Sequence, residues 1–148
     1  MLPDQSAVHI VVVEDNVPDV VLLEECLSAS SISFEMQHFK DGAEAILHLF
    51  GESSAAAELP DLIVLDLNMP KINGLELLAK LKNHERFSSV PVAVLTSSLA
   101  PEEKTEAERL GADRYVRKSA DLDEFLREIA GMVHELAQHK STLNAEVY

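Results

Sequence analysis

The sequence predicts an α/β fold in which a five-stranded parallel sheet carries helices on both faces, the doubly wound arrangement. Short apolar runs of strand length alternate along the chain with segments of helical periodicity. Five such strands alternating with helices are typical of a parallel sheet that is covered on both sides. Most of the runs also end at a polar residue. Ligands of such sheets bind at the carboxyl ends of the strands, so we expect the chemistry there.

The first four elements follow from local patterns. Residues 8–13 are a β-branched apolar run, which predicts a buried strand. Residues 17–29 have apolar side chains at helical spacing, and Pro18 suits a first helical turn because its missing N–H is not needed there. Residues 32–39 alternate weakly and predict a second strand, and residues 43–50 predict a short helix. Residues 51–60 are expected to form a loop.

The second half of the chain continues the alternation. Residues 61–67 are the clearest strand, because four consecutive apolar residues precede an aspartate. Residues 75–81 place leucines on one helical face. Residues 90–95 predict the fourth strand, residues 101–110 a polar helix, and residues 113–118 an edge strand of mixed polarity.

A last helix completes the predicted domain. Its apolar residues repeat at intervals of three and four, at Leu122, Phe125, Ile129, Val133 and Leu136. Asp121 is placed to cap its start, and Gly111 to end the helix before the fifth strand. We therefore divide the chain into an N-terminal extension (1–7), one domain (8–138) and a C-terminal tail (139–148).

Composition excludes several classes of function. The formal charge of −14 argues against a nucleic-acid surface, which needs lysine and arginine to neutralise phosphates. The single cysteine, Cys26, allows neither an intramolecular disulfide nor a cysteine zinc site, and we interpret it as a core residue. No secretion signal and no apolar run long enough to span a membrane is apparent. We expect a cytoplasmic protein.

Five polar residues stand at the predicted strand ends: Glu14, Asp15, Asp66, Thr96 and Lys118. Taken singly, each has an ordinary alternative as a solvated turn, a helix cap or a surface lysine. Taken together, three carboxylates at one rim repel, by about 4 kcal/mol for a pair 4 Å apart at an effective dielectric of 20. One lysine leaves the group anionic, so the site needs a proton or another cation. Mg²⁺ meets this need, because it binds one or two carboxylates and shares phosphate oxygens.

Phosphoryl transfer is the chemistry that such a group of residues predicts. A carboxylate can attack phosphorus and form an aspartyl phosphate. The reaction needs mainly positioning and neutralisation of charge. Mg²⁺ and Lys118 would neutralise the phosphoryl oxygens, and the Thr96 hydroxyl would donate one hydrogen bond.

Four segments carry a family resemblance: VVVEDN, DLIVLDLNMPKINGLELL, VPVAVLTSS and GADRYVRK. In this order, with Thr96 thirty residues after Asp66 and Lys118 twenty-two after Thr96, they resemble the receiver domain of two-component response regulators. The resemblance covers residues 8 to about 138. It implies a flavodoxin-like receiver fold with strand order 2-1-3-4-5. The chain is similar to small stand-alone receivers that serve phytochrome-type and other hybrid-like histidine kinases.

The resemblance assigns the acidic residues to two roles. It implies that Asp66 is the phosphoacceptor and that Asp15 and Asp66 bind Mg²⁺ directly. Glu14 would act through a metal-bound water, and Asn68 would coordinate through its backbone carbonyl. The implied function is that of a phosphorelay response regulator, which catalyses only its own aspartyl phosphorylation and dephosphorylation.

The resemblance also implies a switch and its partners. Thr96 and Lys118 would hold the phosphoryl group, and Tyr115 would turn inward as Thr96 moves; taken singly, Tyr115 would be a packing aromatic. The implied partner is a histidine kinase or a phosphotransfer protein. We also expect the fourth helix, fifth strand and fifth helix to form an output surface for self-association or a protein partner, because they adjoin Thr96, Tyr115 and Lys118. Many receivers have a cis proline after the lysine, whereas Ser119 follows here, so the geometry of that bond stays open.

Three alternatives remain. A phosphatase of the haloacid-dehalogenase type also uses an aspartyl nucleophile, but on the first strand and with a second acid two residues later, where this chain has Asn68. A flavodoxin-like electron carrier would need a phosphate loop after the first strand, where this chain has EDNVPD. A degenerate receiver that binds proteins without being phosphorylated is disfavoured by the intact acceptor, metal and lysine positions.

Overall fold

Strands and helices alternate along the chain. The computed structural model describes residues 7–51, 59–69, 72–118 and 122–146. Within these ranges the strands are β1 (Val8–Val13), β2 (Phe34–Phe39), β3 (Leu62–Asp66), β4 (Val92–Thr96) and β5 (Arg114–Arg117). The helices of the same residues are α1 (Val17–Ala29), α2 (Gly42–Phe50), α3 (Gly74–Asn83), α4 (Pro101–Arg109) and α5 (Leu122–Glu146).

The strands form one parallel sheet in the order β2-β1-β3-β4-β5. The chain runs from β1 outward to β2, then returns to the other side of β1 to place β3. The strand order therefore reverses beside β1, which is where ligands of doubly wound sheets bind. The predicted fold class and strand order are confirmed.

Two apolar cores lie on opposite faces of the sheet. On one face α2, α3 and α4 pack through residues such as Leu49, Leu78 and Ala107. On the other face α1 and α5 pack through residues such as Leu27 and Phe125. All residues of β3 and β4 are buried, because helices cover both sides of these central strands. A fully buried leucine or isoleucine contributes about 1.5–3 kcal/mol, so the two cores hold the central strand ends firmly in place.

Local capping explains where α2 begins and where α4 ends. Asp41 accepts the N–H of Glu44 at 2.8 Å and so caps α2. Gly111 ends α4 with a φ of 104°, a conformation that favours glycine. In this turn the Ala112 N–H bonds the Ala107 carbonyl at 3.0 Å, and the Gly111 N–H bonds the Glu108 carbonyl at 3.1 Å. This double closure is the Schellman motif, and it confirms the predicted cap.

Some element bounds differ from prediction by one or two residues. β2 begins at Phe34 rather than residue 32, because Ser31 adopts a φ of 61° and turns the chain, and pairing with β1 starts at Phe34. β4 begins after Pro91, which has no N–H to donate, and extends to Thr96. Asp66 and Thr96 are thus the last residues of their strands.

α5 continues beyond the predicted helix, through residue 146. Lys140 Nζ donates to the Ala7 carbonyl at 2.8 Å and to Asp61 Oδ2 at 2.9 Å. The same Asp61 oxygen accepts the His9 N–H at 2.9 Å. Residue 140 therefore contacts the amino ends of β1 and β3. The division into an extension, a domain and a tail stays a prediction.

Several predicted features lie outside the described residues. They are the cap at Asp121, the bond geometry at Ser119 and most of the 51–60 loop. Within the described part of the chain, no helix combines the length and the apolar character needed to cross a membrane.

Candidate functional site

Three carboxylates meet where β1 and β3 end. Glu14 and Asp15 directly follow β1, and Asp66 closes β3. Because these parallel strands are neighbours, one carboxylate oxygen of each residue lies within 4.8 Å of the other two. Glu14 and Asp66 are buried, with 1% and 3% of their surface exposed, whereas Asp15 is exposed. The acidic cluster expected from the sequence is present.

Lys118 supplies a positive charge to this cluster. Its Nζ contacts Glu14 Oε1, lies 3.2 Å from Asp19 Oδ2 and lies 3.6 Å from Asp66 Oδ2. Burial lowers the pKa of Lys118, but the hydrogen bond to Glu14 and the surrounding carboxylates outweigh it, so the net pKa is raised. The lysine is therefore charged, and three carboxyl groups, those of Glu14, Asp19 and Asp66, share it.

Asp19 is a member of the cluster that sequence reasoning missed. It lies in the first turn of α1, where its N–H is bound by the Asn16 side chain at 3.1 Å. One signal was available, because Asp19 follows Asp15 by four residues, about one helical turn. A helix that starts at a strand end places its first turn at the same rim as that strand end.

Glu14 is the most deeply buried carboxyl group of the cluster. Burial and the facing Asp66 carboxyl raise the pKa of Glu14 to about 9, although Lys118 opposes them. His38 Nε2 lies 2.7 Å from the Glu14 backbone oxygen and fixes this part of the chain. Among the described residues, Glu14 Oε2 has no hydrogen-bond partner. A buried polar atom left in this state costs about 1–3 kcal/mol.

The donor set of the cluster fits a divalent cation. Three carboxylates offer oxygens at close range, one of which is buried and unpartnered. The exposed Asp15 leaves the cluster open to solvent on one side. Oxygen ligands of this kind suit hard cations such as Mg²⁺, which keep several waters. Glu14, Asp15 and Asp66 are the residues that could hold such an ion.

Two backbone features position Asp66. Its Oδ1 accepts the Asn68 N–H at 2.9 Å, which leaves Oδ2 on the side of Lys118. Gly74 opens α3 against the segment after β3, where a Cβ would lie 2.5 Å from Leu67 Cα and 2.8 Å from the Asp66 carbonyl oxygen. Only glycine permits this approach. This glycine, the last residue of the MPKING segment, therefore lets the start of α3 lie against the end of β3.

Thr96 and Asn68 connect the ends of β4 and β3. The Thr96 hydroxyl lies 2.8 Å from Asn68 Oδ1 and accepts the Ser98 N–H at 2.9 Å. Asn68 Oδ1 also accepts the Ser97 N–H at 3.0 Å. The sequence prediction used only the backbone carbonyl of Asn68. Its side chain has a separate role, which is to join the two loops at the rim.

Tyr115 joins Thr96 through a residue that sequence reasoning also missed. The half-buried Tyr115 donates its hydroxyl hydrogen to Glu103 Oε1 at 3.2 Å, and the Thr96 hydroxyl contacts the same oxygen. Burial and the Glu103 charge raise the pKa of Tyr115. A weak signal separates Glu103 from the neighbouring Glu102, because Ala107 follows Glu103 by four residues and so shares its face of the helix. The helix's orientation decides which of them faces Thr96.

Residues 10–130 match the model of the response regulator receiver domain. The chain belongs to this family.

Known receivers match this domain over most of its length. Response regulator Rcp1 of Synechocystis sp. is 35% identical over 125 residues, which cover 83% of this chain and 84% of that protein. The crystal structure of the phosphorylated cyanobacterial phytochrome response regulator RcpA superimposes with a TM-score of 0.77. It is 37% identical and covers 85% of this chain and 91% of its own. The Mn²⁺-bound form of response regulator Rcp1 gives a TM-score of 0.76 at 33% identity, with coverages of 84% and 90%.

The receiver domain thus brings its predicted site residues together in two groups. Glu14, Asp15, Asp66 and Lys118 form the acidic group at β1, β3 and β5. The second group centres on Thr96, which is hydrogen-bonded to Asn68 and is linked to Tyr115 through Glu103. The individual roles predicted for these residues stay predictions.

Proposed function

We propose that this receiver domain accepts a phosphoryl group on Asp66 and changes its surface in response. The observation that carries the proposal is the buried Asp66 carboxylate, which has a charged lysine 3.6 Å away and two further carboxylates within 4.8 Å. A buried nucleophile beside a cation and a cation-binding group of oxygens is suited to phosphoryl transfer.

The transfer itself requires little of the protein beyond position and charge. An Asp66 oxygen attacks the donor phosphorus, the bond from phosphorus to the donor's nitrogen or oxygen breaks, and the leaving group keeps that electron pair. Lys118 Nζ neutralises charge on the transferred oxygens, and the Thr96 hydroxyl donates a hydrogen bond to one of them. Hydrolysis of the acyl phosphate returns the carboxylate, so the domain catalyses only its own modification.

Mg²⁺ is the cofactor that we assign to the acidic cluster. Asp15 and Asp66 would bind it directly, Glu14 through a water molecule, and Asn68 through its backbone carbonyl. Bound there, it would neutralise charge shared between the carboxylates and the incoming phosphoryl oxygens. The unpartnered Glu14 oxygen supports this assignment.

Intact-mass analysis after incubation with acetyl phosphate tests the proposal. With Mg²⁺ the wild type should gain one phosphoryl group, and without Mg²⁺ it should gain none. Asp66→Asn should stay unlabelled, whereas Asp41→Asn should label normally, because asparagine serves equally well as the α2 cap. An unlabelled wild type would favour the degenerate receiver, and equal labelling of Asp66→Asn would remove Asp66 from its role.

The donor that we propose is a histidine kinase or a phosphotransfer protein. Receiver domains partner with such proteins, and similar receivers are described as phytochrome response regulators. A kinase of the phytochrome class is therefore our first candidate. A phosphotransfer profile against the histidine kinases of the source organism would identify it, since the cognate kinase should label Asp66 fastest. Equal rates from all kinases would count against this assignment.

The proposed output surface comprises α4, β5 and α5, used for self-association. Tyr115 lies on β5, and α4 presents Glu102 and Arg109 to solvent while β5 presents Arg114 and Arg117. Opposite charges could pair across a two-fold axis, although exposed ion pairs contribute only about 0–1 kcal/mol each. Sedimentation with and without beryllofluoride, a phosphoryl mimic, tests this. A monomer at tens of micromolar in both states would exclude self-association under those conditions.

A further inference from the structure

Glu103 joins the two side chains that the proposed function treats as a switch. It lies half-buried in the first turn of α4. Its Oε1 contacts the Thr96 hydroxyl and accepts the Tyr115 hydroxyl hydrogen at 3.2 Å. One carboxylate oxygen on α4 therefore holds a hydroxyl from β4 and another from β5.

The Thr96 hydroxyl lies within hydrogen-bond reach of more acceptors than it has hydrogens to donate. A threonine hydroxyl carries one hydrogen, yet Asn68 Oδ1 at 2.8 Å and Glu103 Oε1 both lie within reach. Hydrogen bonds to a charged acceptor are about twice as strong as those between neutral groups, so Glu103 is the stronger competitor. Thr96 is fully buried, which leaves no access for water as a substitute. A phosphoryl oxygen that takes this hydrogen must displace Glu103.

We propose that Glu103 is a positioning residue that opposes phosphorylation by holding the hydroxyl hydrogen of Thr96. The proposal rests on the proposed function. Phosphorylation transfers this hydrogen bond from Glu103 to a phosphoryl oxygen and leaves Glu103 with Tyr115 alone. Because Glu103 belongs to α4, the exchange also breaks a hydrogen bond between α4 and the end of β4. The Glu103 carboxylate thus couples phosphorylation of Asp66 to the position of α4, which is part of the proposed output surface.

Binding of beryllofluoride, the phosphoryl mimic, in the presence of Mg²⁺ measures how strongly Glu103 competes for the hydroxyl hydrogen of Thr96. Glu103→Gln keeps the size of the side chain but removes its charge, and Glu103→Ala removes the acceptor. We expect the apparent Kd for beryllofluoride, measured by amide chemical shifts, to fall about tenfold in both variants, which corresponds to ~1.4 kcal/mol. Glu24→Gln is the control, since Glu24 is an exposed carboxyl on α1, which is not part of the proposed output surface, and its Kd should equal that of the wild type. Unchanged or weaker binding by both Glu103 variants would overturn the proposal.

A double-mutant cycle separates this mechanism from a general effect of charge. If Glu103 acts through the Thr96 hydroxyl, Glu103→Gln should not change the Kd in a Thr96→Ala background. An equal gain in both backgrounds would mean that the negative charge of Glu103 simply repels the ligand, and the positioning role would be wrong. A wild type that binds no beryllofluoride would instead contradict the proposed function.

The hydroxyl of Tyr115 gives a readout that does not depend on phosphorylation. Glu103 helps to raise the pKa of Tyr115, so Glu103→Gln should lower it. An ultraviolet absorbance titration follows this group, with Tyr115→Phe to subtract the second tyrosine, Tyr148. A pKa that stays at its wild-type value would show that Glu103 does not bind the hydroxyl in solution, and the proposal would fail whatever the behaviour of Asp66.

Discussion

Replacing Glu14 by glutamine should stabilise the metal-free domain at neutral pH. Glutamine resembles the protonated carboxyl, because its oxygen can accept from Lys118 and its amide can donate towards Asp66. Glu14 is 1% exposed, and burial together with Asp66 raises its pKa to about 9 from its ordinary value of 4.5. Between these two values the folded protein binds a proton that the unfolded chain has lost. The free energy of unfolding therefore decreases as pH rises through this window.

The size of the effect follows from the same pKa. Each pH unit between the two pKa values is worth about 1.4 kcal/mol. At pH 7.5 the wild type lies three units above 4.5, which gives an upper figure of about 4 kcal/mol. Water entry and local relaxation reduce such penalties. We therefore expect Glu14→Gln to be more stable than the wild type by about 2–4 kcal/mol at pH 7.5, and nearly equal to it at pH 4.5.

Urea unfolding in EDTA at several pH values between 4.5 and 7.5 measures this difference. Glu24→Gln, an exposed carboxyl on α1, is the control and should follow the wild type throughout. Saturating Mg²⁺ should stabilise the wild type more than Glu14→Gln, because at one ligand concentration the stabilisation increases with the logarithm of the affinity for the folded state. A difference that is constant with pH, or a destabilised variant at pH 7.5, would refute the argument from a buried, protonated carboxyl.

Three further predictions concern the metal, the switch and the α4 cap. Asp15→Asn should weaken Mg²⁺ binding by roughly tenfold or more, since it removes a charged ligand from a site with few protein ligands; calorimetry that finds equal affinity would contradict this. Thr96→Ala should still be labelled by acetyl phosphate, but hydrogen exchange in α4 should no longer respond to labelling; a wild-type response would contradict the coupling. Gly111→Ala should lower the free energy of unfolding by about 1–2 kcal/mol, because φ is 104° and the new Cβ would lie 3.2 Å from Lys82 Cγ; urea unfolding at wild-type stability would contradict the cap.

Most of the fold was predictable because the strands carry their own signal. Each central strand is a run of apolar residues buried on both sides, so it can be recognised from its own residues without knowledge of its neighbours. The start of β2 was not predictable, since it depends on a single left-handed residue, Ser31. The continuation of α5 to residue 146 was also not predictable. Its final residues show no apolar repeat, and Lys140 makes contacts with residues more than seventy positions away.

The candidate site likewise contains residues that the sequence could identify and residues that it could not. Glu14, Asp15, Asp66, Thr96 and Lys118 could be selected because each stands at the end of a strand, where the sheet itself brings side chains together. Asp19 and Glu103 lie instead on the first turns of helices. Whether a helical carboxylate faces the rim depends on the rotation of that helix about its axis, which the packing of its buried side sets. In α4 the buried side is marked mainly by Ala107, which is a weaker signal than a repeat of large apolar residues.

The contacts of Lys140 affect how the domain can be trimmed. Asp61 lies at the amino end of the strand whose other end is Asp66. A chain cut after residue 138 would leave the Asp61 carboxylate, which also binds the His9 N–H, without its ammonium partner. The Ala7 carbonyl would lose its donor as well. A fragment chosen from the family resemblance alone would therefore loosen the far end of the strand that ends at Asp66, and fragments for structural or kinetic work should retain residues 7 and 140.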